Sequence, residues 1–174
     1  MAKEISLRVF QQQLAVRLRE AQAQTAPNSR LGVESGGRHW LLRLEDIGEV
    51  LPVPRISAVP LTRAWFLGIA NIRGNLAGAV DFSALMGGQS TPLTADARLV
   101  LIANRFQVAS GLVVSRLLGL KYIQQMEPES VPGDLPWAGA AYRERETGER
   151  VARVWRELDV AALVTHEAFL QAGI

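Results

Sequence analysis

Few residues in this chain are placed to do covalent chemistry. Histidine occurs twice, at His39 and His166, and neither stands at metal-ligand spacing from a second ligand. His39 lies beside Trp40 in an extended apolar stretch and His166 follows Thr165 in a terminal helical stretch, so each reads as structural or exposed. Cysteine is absent, which removes thiolate nucleophiles, thiolate metal sites and disulfides together. No serine stands in a Gly-x-Ser-x-Gly elbow, and no Gly-x-x-x-x-Gly-Lys-Ser/Thr loop is present to cradle a phosphate. Gly68, Gly74 and Gly78 miss the spacing of a dinucleotide fingerprint and have no βαβ unit around them. The acid pairs Glu45/Asp46 and Glu127/Glu129 fall in polar stretches. An acid–base enzyme would need a pair such as Glu49 and Asp81 facing one apolar pocket. No catalytic residue, metal or cofactor is expected, and the gaps together point to a binding module.

One stretch carries information of another kind: Gly68-Ile69-Ala70-Asn71-Ile72-Arg73-Gly74-Asn75-Leu76-Ala77-Gly78-Ala79-Val80-Asp81-Phe82. Ile69, Ile72 and Leu76 are expected to anchor it in a core. Asn71 and Gly74 tolerate the tight or left-handed backbone of a turn. Arg73 is thereby placed at the tip of a turn, where its guanidinium must reach solvent or meet a carboxylate. Asp81 ends the next strand, where its side chain can cap a helical turn at Phe82–Met86.

The elements that must position this stretch are mostly extended. Leu7, Phe10, Leu14, Leu18 and Ala21 share one helical face, and the polar run ending in Pro27 stops that helix. Beyond it, Leu31–Glu34 and His39–Leu44 flank Ser35-Gly36-Gly37 as a hairpin. Glu49–Pro54 reads as a short edge strand closed by prolines. Trp65–Asn75 reads as an approach and turn, and Leu76–Asp81 as a strand. Gln89–Asp96 is a loop, followed by apolar strands at Arg98–Ala103 and Val108–Val114 and a shorter one at Leu117–Ile123. Met126–Pro136, with three prolines and three acids, reads as a surface connection. Trp137–Tyr142 pairs with Arg150–Trp155 across Thr147-Gly148, and a terminal helix runs from Leu158 to about Ala172. Nine or ten short strands with frequent turns argue for an all-β sandwich or a pair of barrels.

Charge and hydropathy narrow the class further. Although the pI is near 9.5, nineteen cations face seventeen anions, and the cations are spread along the chain as in Arg143-Glu144-Arg145-Glu146. Nucleic-acid binders gather such charge into a stripe and add aromatic platforms, whereas aromatics here are only 6%. A nucleic-acid-binding β-barrel is therefore the rival reading rather than the leading one. The longest apolar runs, Trp65–Ile72 and Leu112–Leu120, are too short and too interrupted to span a bilayer, so a cytoplasmic protein without membrane insertion is expected.

The central stretch resembles the signature of CheW-like domains, with Gly68, Asn71-Ile72-Arg73-Gly74 and Val80-Asp81-Phe82 at the matching positions. The likeness extends upstream to Ile47-Gly48-Glu49-Val50. Downstream it takes in Leu99–Ile102 with Ala109–Val114, then Arg153–Asp159 with Leu163, so that it covers residues 30 to 165. Two positions depart: Gly78 stands where many members have proline, and Val114-Ser115 where a Val-Asp pair is common. The resemblance implies two intertwined small SH3-like β-barrels over residues 27–174, with an N-terminal helix and linker over 1–26 and a short C-terminal helix. It implies an adaptor with no active site, monomeric alone, joining the regulatory domain of a CheA-type histidine kinase to the cytoplasmic hairpin tip of methyl-accepting chemoreceptors. Glu49 and Arg73 match a pair that forms a salt bridge near the family's receptor-binding surface. Ile47, Gly68, Asn71 and Gly74 match neighbouring positions. Trp65–Asn71 and the N-terminal helix are most similar to the PilI-type branch, which serves the chemosensory systems of type IV pili and twitching motility.

Overall fold

The structure is a computed structural model and describes residues 28–145 and 152–174. The helix expected around Leu7–Ala21 and the turn expected at Thr147-Gly148 lie outside the described residues. Two six-stranded sheets make up the fold, as the two-barrel expectation requires. The chain starts one sheet with β1 (Ser29–Ser35) and β2 (Arg38–Arg43), then leaves it. It builds the whole of the second from β3 (Ile47–Pro52), β4 (Ile56–Ser57), β5 (Phe66–Ile72), β6 (Asn75–Asp81), β7 (Arg98–Ile102) and β8 (Ser110–Val114). It then returns with β9 (Arg116–Tyr122), β10 (Met126–Glu129), β11 (Ala138–Glu144) and β12 (Val154–Leu158). The first barrel runs β10-β11-β12-β2-β1-β9, its early and late strands joined by a parallel pairing of β12 with β2. The second runs β3-β7-β8-β6-β5-β4, with β6 parallel to β8.

Alternation along the strands explains how one chain fills three cores. Side chains on a strand point to opposite faces in turn. In β2, Leu41 therefore enters the first barrel with Trp155 and Met126, while Trp40 and Leu42 face the other way. In the second barrel, Ala79, Leu99 and Val113 point inward, and Val80, Val100, Leu112 and Val114 point outward. The outward sets meet between the barrels and form the largest core, where Trp40 packs edge-on against Phe82 at 5.2 Å. Three short helices sit at its margins: α1 (Phe82–Leu85), α2 (Val160–Thr165) and α3 (Glu167–Leu170). Phe82, Leu163, Val164 and Phe169 from them are buried in that core.

Several local expectations need correcting. Trp65–Asn75 is not an approach: Phe66–Ile72 is a full strand, β5, paired along its length with β6. Met126–Glu129 is strand β10 rather than part of a surface connection. It is an edge strand opposite β11, where the missing N–H of Pro128 is tolerated, and it buries Met126. The terminal helix breaks at His166, whose extended backbone (ψ 138°) starts a new helix and whose Nδ1 accepts a hydrogen bond from the Ala168 N–H at 3.1 Å. Strand β12 runs on to Leu158, so helix begins only at Val160.

Candidate partner-binding groove

The β5–β6 hairpin turns in two residues, and both have positive φ: Arg73 at 53° and Gly74 at 91°. Such a turn matches the right-handed twist of its strands. Asn71 is not itself left-handed; its Oδ1 accepts a hydrogen bond from the Gly74 N–H at 2.8 Å and fastens the turn from the side. With the turn fixed, the Arg73 side chain projects over the ends of β7 and β8 toward β3. There its Nη2 donates to Glu49 Oε1 at 2.7 Å. The Arg73 side chain is 80% exposed and that of Glu49 36%, so the pair contributes no more than about 1 kcal/mol to folding.

The pair forms the rim of a groove of about 590 Å³. Leu101 and Ile102 of β7 and the stretch Val108–Ser110 line its floor, and Leu76 stands on the wall, 63% exposed. A floor of mixed polarity, an exposed leucine and a charged rim suit a protein segment held by apolar and polar contacts together rather than a reaction centre. Of the six residues that the resemblance leads us to expect at a receptor-facing surface, Glu49 and Arg73 line the groove, and Asn71 and Gly74 shape the turn that presents Arg73. Ile47 is half-buried against the central core. Gly68 is buried at the far end of β5, where an added Cβ would lie 2.1 Å from the Ser57 carbonyl oxygen.

Leu76 corrects the expectation of a core anchor. So does Ile69, which is 36% exposed, leaving only Ile72 packed inside the barrel. Leu76 shares the outward face of β6 with Val80, but at its end of the strand no described residue covers that face. An apolar residue two positions after an exposed turn was the available signal. Asp81 behaves as expected: fully buried, it accepts from the N–H groups of Ser83 and Ala84 and caps α1. It also binds Thr91 through that residue's N–H and hydroxyl, each at 2.7 Å, which clamps the loop that follows. Both Asp81 oxygens are thus occupied away from the groove, and the geometry does not bring it together with Glu49 as an acid–base pair. Among the described residues no cluster of His, Asp or Glu could hold a metal ion, and no helix is long and apolar enough to cross a membrane.

Comparison with known proteins agrees with this architecture. Protein PilI of Pseudomonas aeruginosa is 28% identical over 152 residues, which span 84% of this chain and 80% of PilI. The crystal structure of scaffolding protein TtCheW from Thermoanaerobacter tengcongensis aligns with a TM-score of 0.64 at 18% identity, covering 82% of this chain and 95% of that one. It supports the fold of two SH3-like barrels. The family model described as a CheW-like domain matches residues 30–168, four-fifths of the chain, and the chain belongs to the CheW-like domain family.

Proposed function

We propose that the protein is a non-catalytic adaptor of a cytoplasmic chemosensory array. In this reading the groove under Arg73 and Glu49 holds the hairpin tip of a methyl-accepting chemoreceptor, and another face holds the regulatory domain of a CheA-type histidine kinase. Similarity to PilI favours a system that controls type IV pili and twitching motility over one that controls flagella. The observation that carries the reading is the Arg73–Glu49 pair on the rim of a groove of mixed polarity, on two elements that resemble the family's receptor-facing motif. Most cations among the described residues are engaged in ion pairs, among them Arg30 with Glu157, Arg105 with Asp46, Arg116 with Glu34 and Lys121 with Glu144. That arrangement suits a mixed-sign protein surface better than a phosphate-tracking stripe.

The test is a titration of the full chain, monomeric by sedimentation, against a receptor tip and separately against the kinase regulatory domain. Saturable binding to both with a ternary complex is expected. Arg73→Ala should weaken tip binding by about tenfold or more, while kinase binding and the circular dichroism spectrum stay as in the wild type. The double variant Arg73→Glu with Glu49→Arg should recover part of the loss. Equal tip affinity for Arg73→Ala and the wild type would remove the groove from the mechanism. Binding to neither partner by the folded protein would leave the family fold and remove the adaptor role.

A further inference from the structure

A second and larger cleft, of about 1100 Å³, opens at one end of the first barrel and shares no lining residue with the groove at Arg73. Its walls come from β2, the start of β12, Lys121 of β9, Glu144 of β11 and the connection between β10 and β11. At its base lies the buried Trp155 indole, with Lys121 Nζ 4.8 Å above the ring and the His39 imidazole at 5.1 Å. Arg38 and Arg156 both bind Asp134, and Arg156 also donates to the Pro132 carbonyl at 2.8 Å, which straps that connection into the wall. Among the described residues, four cations (Arg38, Lys121, Arg153 and Arg156) thus line the cleft with two anions, Asp134 and Glu144. These described residues give the cleft an excess of two positive charges. Both anions already share their charge with these cations, and the exposed Arg153 has no acidic partner among the described residues. On the rim stand two exposed apolar side chains, Val131 at 40% and Val154 at 37%.

We propose that this cleft binds an acidic linear peptide of a partner protein, in which carboxylates flank an apolar side chain. The surplus cations take the carboxylates, Val131 and Val154 take the apolar side chain, and Asp134 and Glu144 accept from backbone N–H groups that a nucleic-acid strand lacks. The chain's own first 27 residues are a poor occupant. They carry Lys3, Arg8, Arg17 and Arg19 against Glu4 and Glu20, the same sign as the cleft. The site goes beyond the adaptor reading and stands without it.

The guest also leaves a mark on His39. Burial, together with the charge of Arg153, holds that imidazole below its ordinary value. Arg116 on β9 acts in the same direction, and Glu34 on β1 and Glu144 on β11 oppose them. Carboxylates arriving beside Arg153 stabilise the imidazolium, so binding takes up a proton and tightens as the pH falls.

The probe is a fluorescein-labelled peptide Gly-Glu-Asp-Phe-Glu-Asp-Gly titrated with the full-length protein by anisotropy, beside a control with lysine in place of every acid and a labelled oligo-uridine of equal charge. Saturable binding of the acidic peptide alone is expected, lost by about tenfold or more in Arg153→Glu and unchanged in Arg73→Ala. His39→Gln should keep binding but lose its strengthening from pH 8 to pH 6, roughly the range in which an imidazole titrates. No saturable binding up to about 1 mM protein, a level of affinity too weak to matter, overturns the proposal. So do equal binding by Arg153→Glu, and equal or tighter binding of the oligo-uridine. Because Arg73→Ala addresses the groove alone, failure here and failure of the adaptor reading are separable.

Discussion

At position 73 the backbone and the side chain make opposite demands. A left-handed residue followed by a left-handed glycine is the turn that Asn-Gly forms best, and an arginine there carries a backbone cost of about 1 kcal/mol. The exposed ion pair with Glu49 returns no more than that. Arg73→Asn is therefore expected to raise stability by roughly 0.5–1 kcal/mol in urea unfolding while abolishing the ion pair and weakening receptor-tip binding. A destabilised variant would mean that the arginine serves the turn itself. His39 offers another check at this scale. Its protonation is resisted in the folded state, chiefly by burial, so the unfolded chain binds the proton more readily. Stability should then be level above the ordinary value of 6.5 and decline as the pH falls through it toward the lower folded value. Urea midpoints across that range should show the step, and His39→Gln should flatten it. The tip position of Arg73 and the cap at Asp81 were legible because turn and cap chemistry is local. The exposure of Leu76 was not, because it depends on where the second sheet runs out of neighbours. Nor was the steric role of Gly68, which depends on the carbonyl of a residue eleven positions earlier.

That glycine belongs to an element, the hairpin of β5 and β6, and its effect is felt there. Gly68 has φ 132° and a register shift beside it, and any side chain would run into the Ser57 backbone. Gly68→Ala should cost more than about 2 kcal/mol and lower binding only to the extent that it unfolds the protein. Loss of tip binding in a variant of wild-type stability would instead give Gly68 a direct contact. Elements with an apolar run between clear turn residues, such as β1 with β2 across Gly36-Gly37 and β7 with β8 across Asn104-Arg105-Phe106, could be read from the chain directly. Strands β5 and β10 could not. Asn71 gave β5 the character of a turn, although its side chain serves the turn from within the strand. Prolines gave β10 the character of a loop, although an edge strand accommodates them. The break at His166 was hidden because an imidazole acting as a helix cap has no pattern in apolar spacing.

Across the whole molecule the pairings join distant parts of the chain, with Ser29 opposite Tyr122 and His39 opposite Trp155. The first barrel cannot form until the chain has come back from the second with β9 to β12. The largest core belongs to both barrels at once. Unfolding is therefore expected as a single transition, and folding as slow, on a millisecond-to-second scale typical of non-local β structures. Tryptophan fluorescence tests this, because Trp155 reports from inside the first barrel and Trp40 and Trp137 from the shared core. Two separate transitions by fluorescence and circular dichroism would make the barrels independent units.

The same excursion and return has a practical consequence. A cut in the exposed stretch after Pro92 leaves one piece with β1 to β6 and another with β7 to β12, and each piece owns strands of both sheets. Neither piece is a barrel, and each is the template that completes the other. The severed protein should stay together as one particle. The two pieces, made separately and fused to the halves of a reporter, would form a complementation pair whose signal requires the whole fold to reassemble.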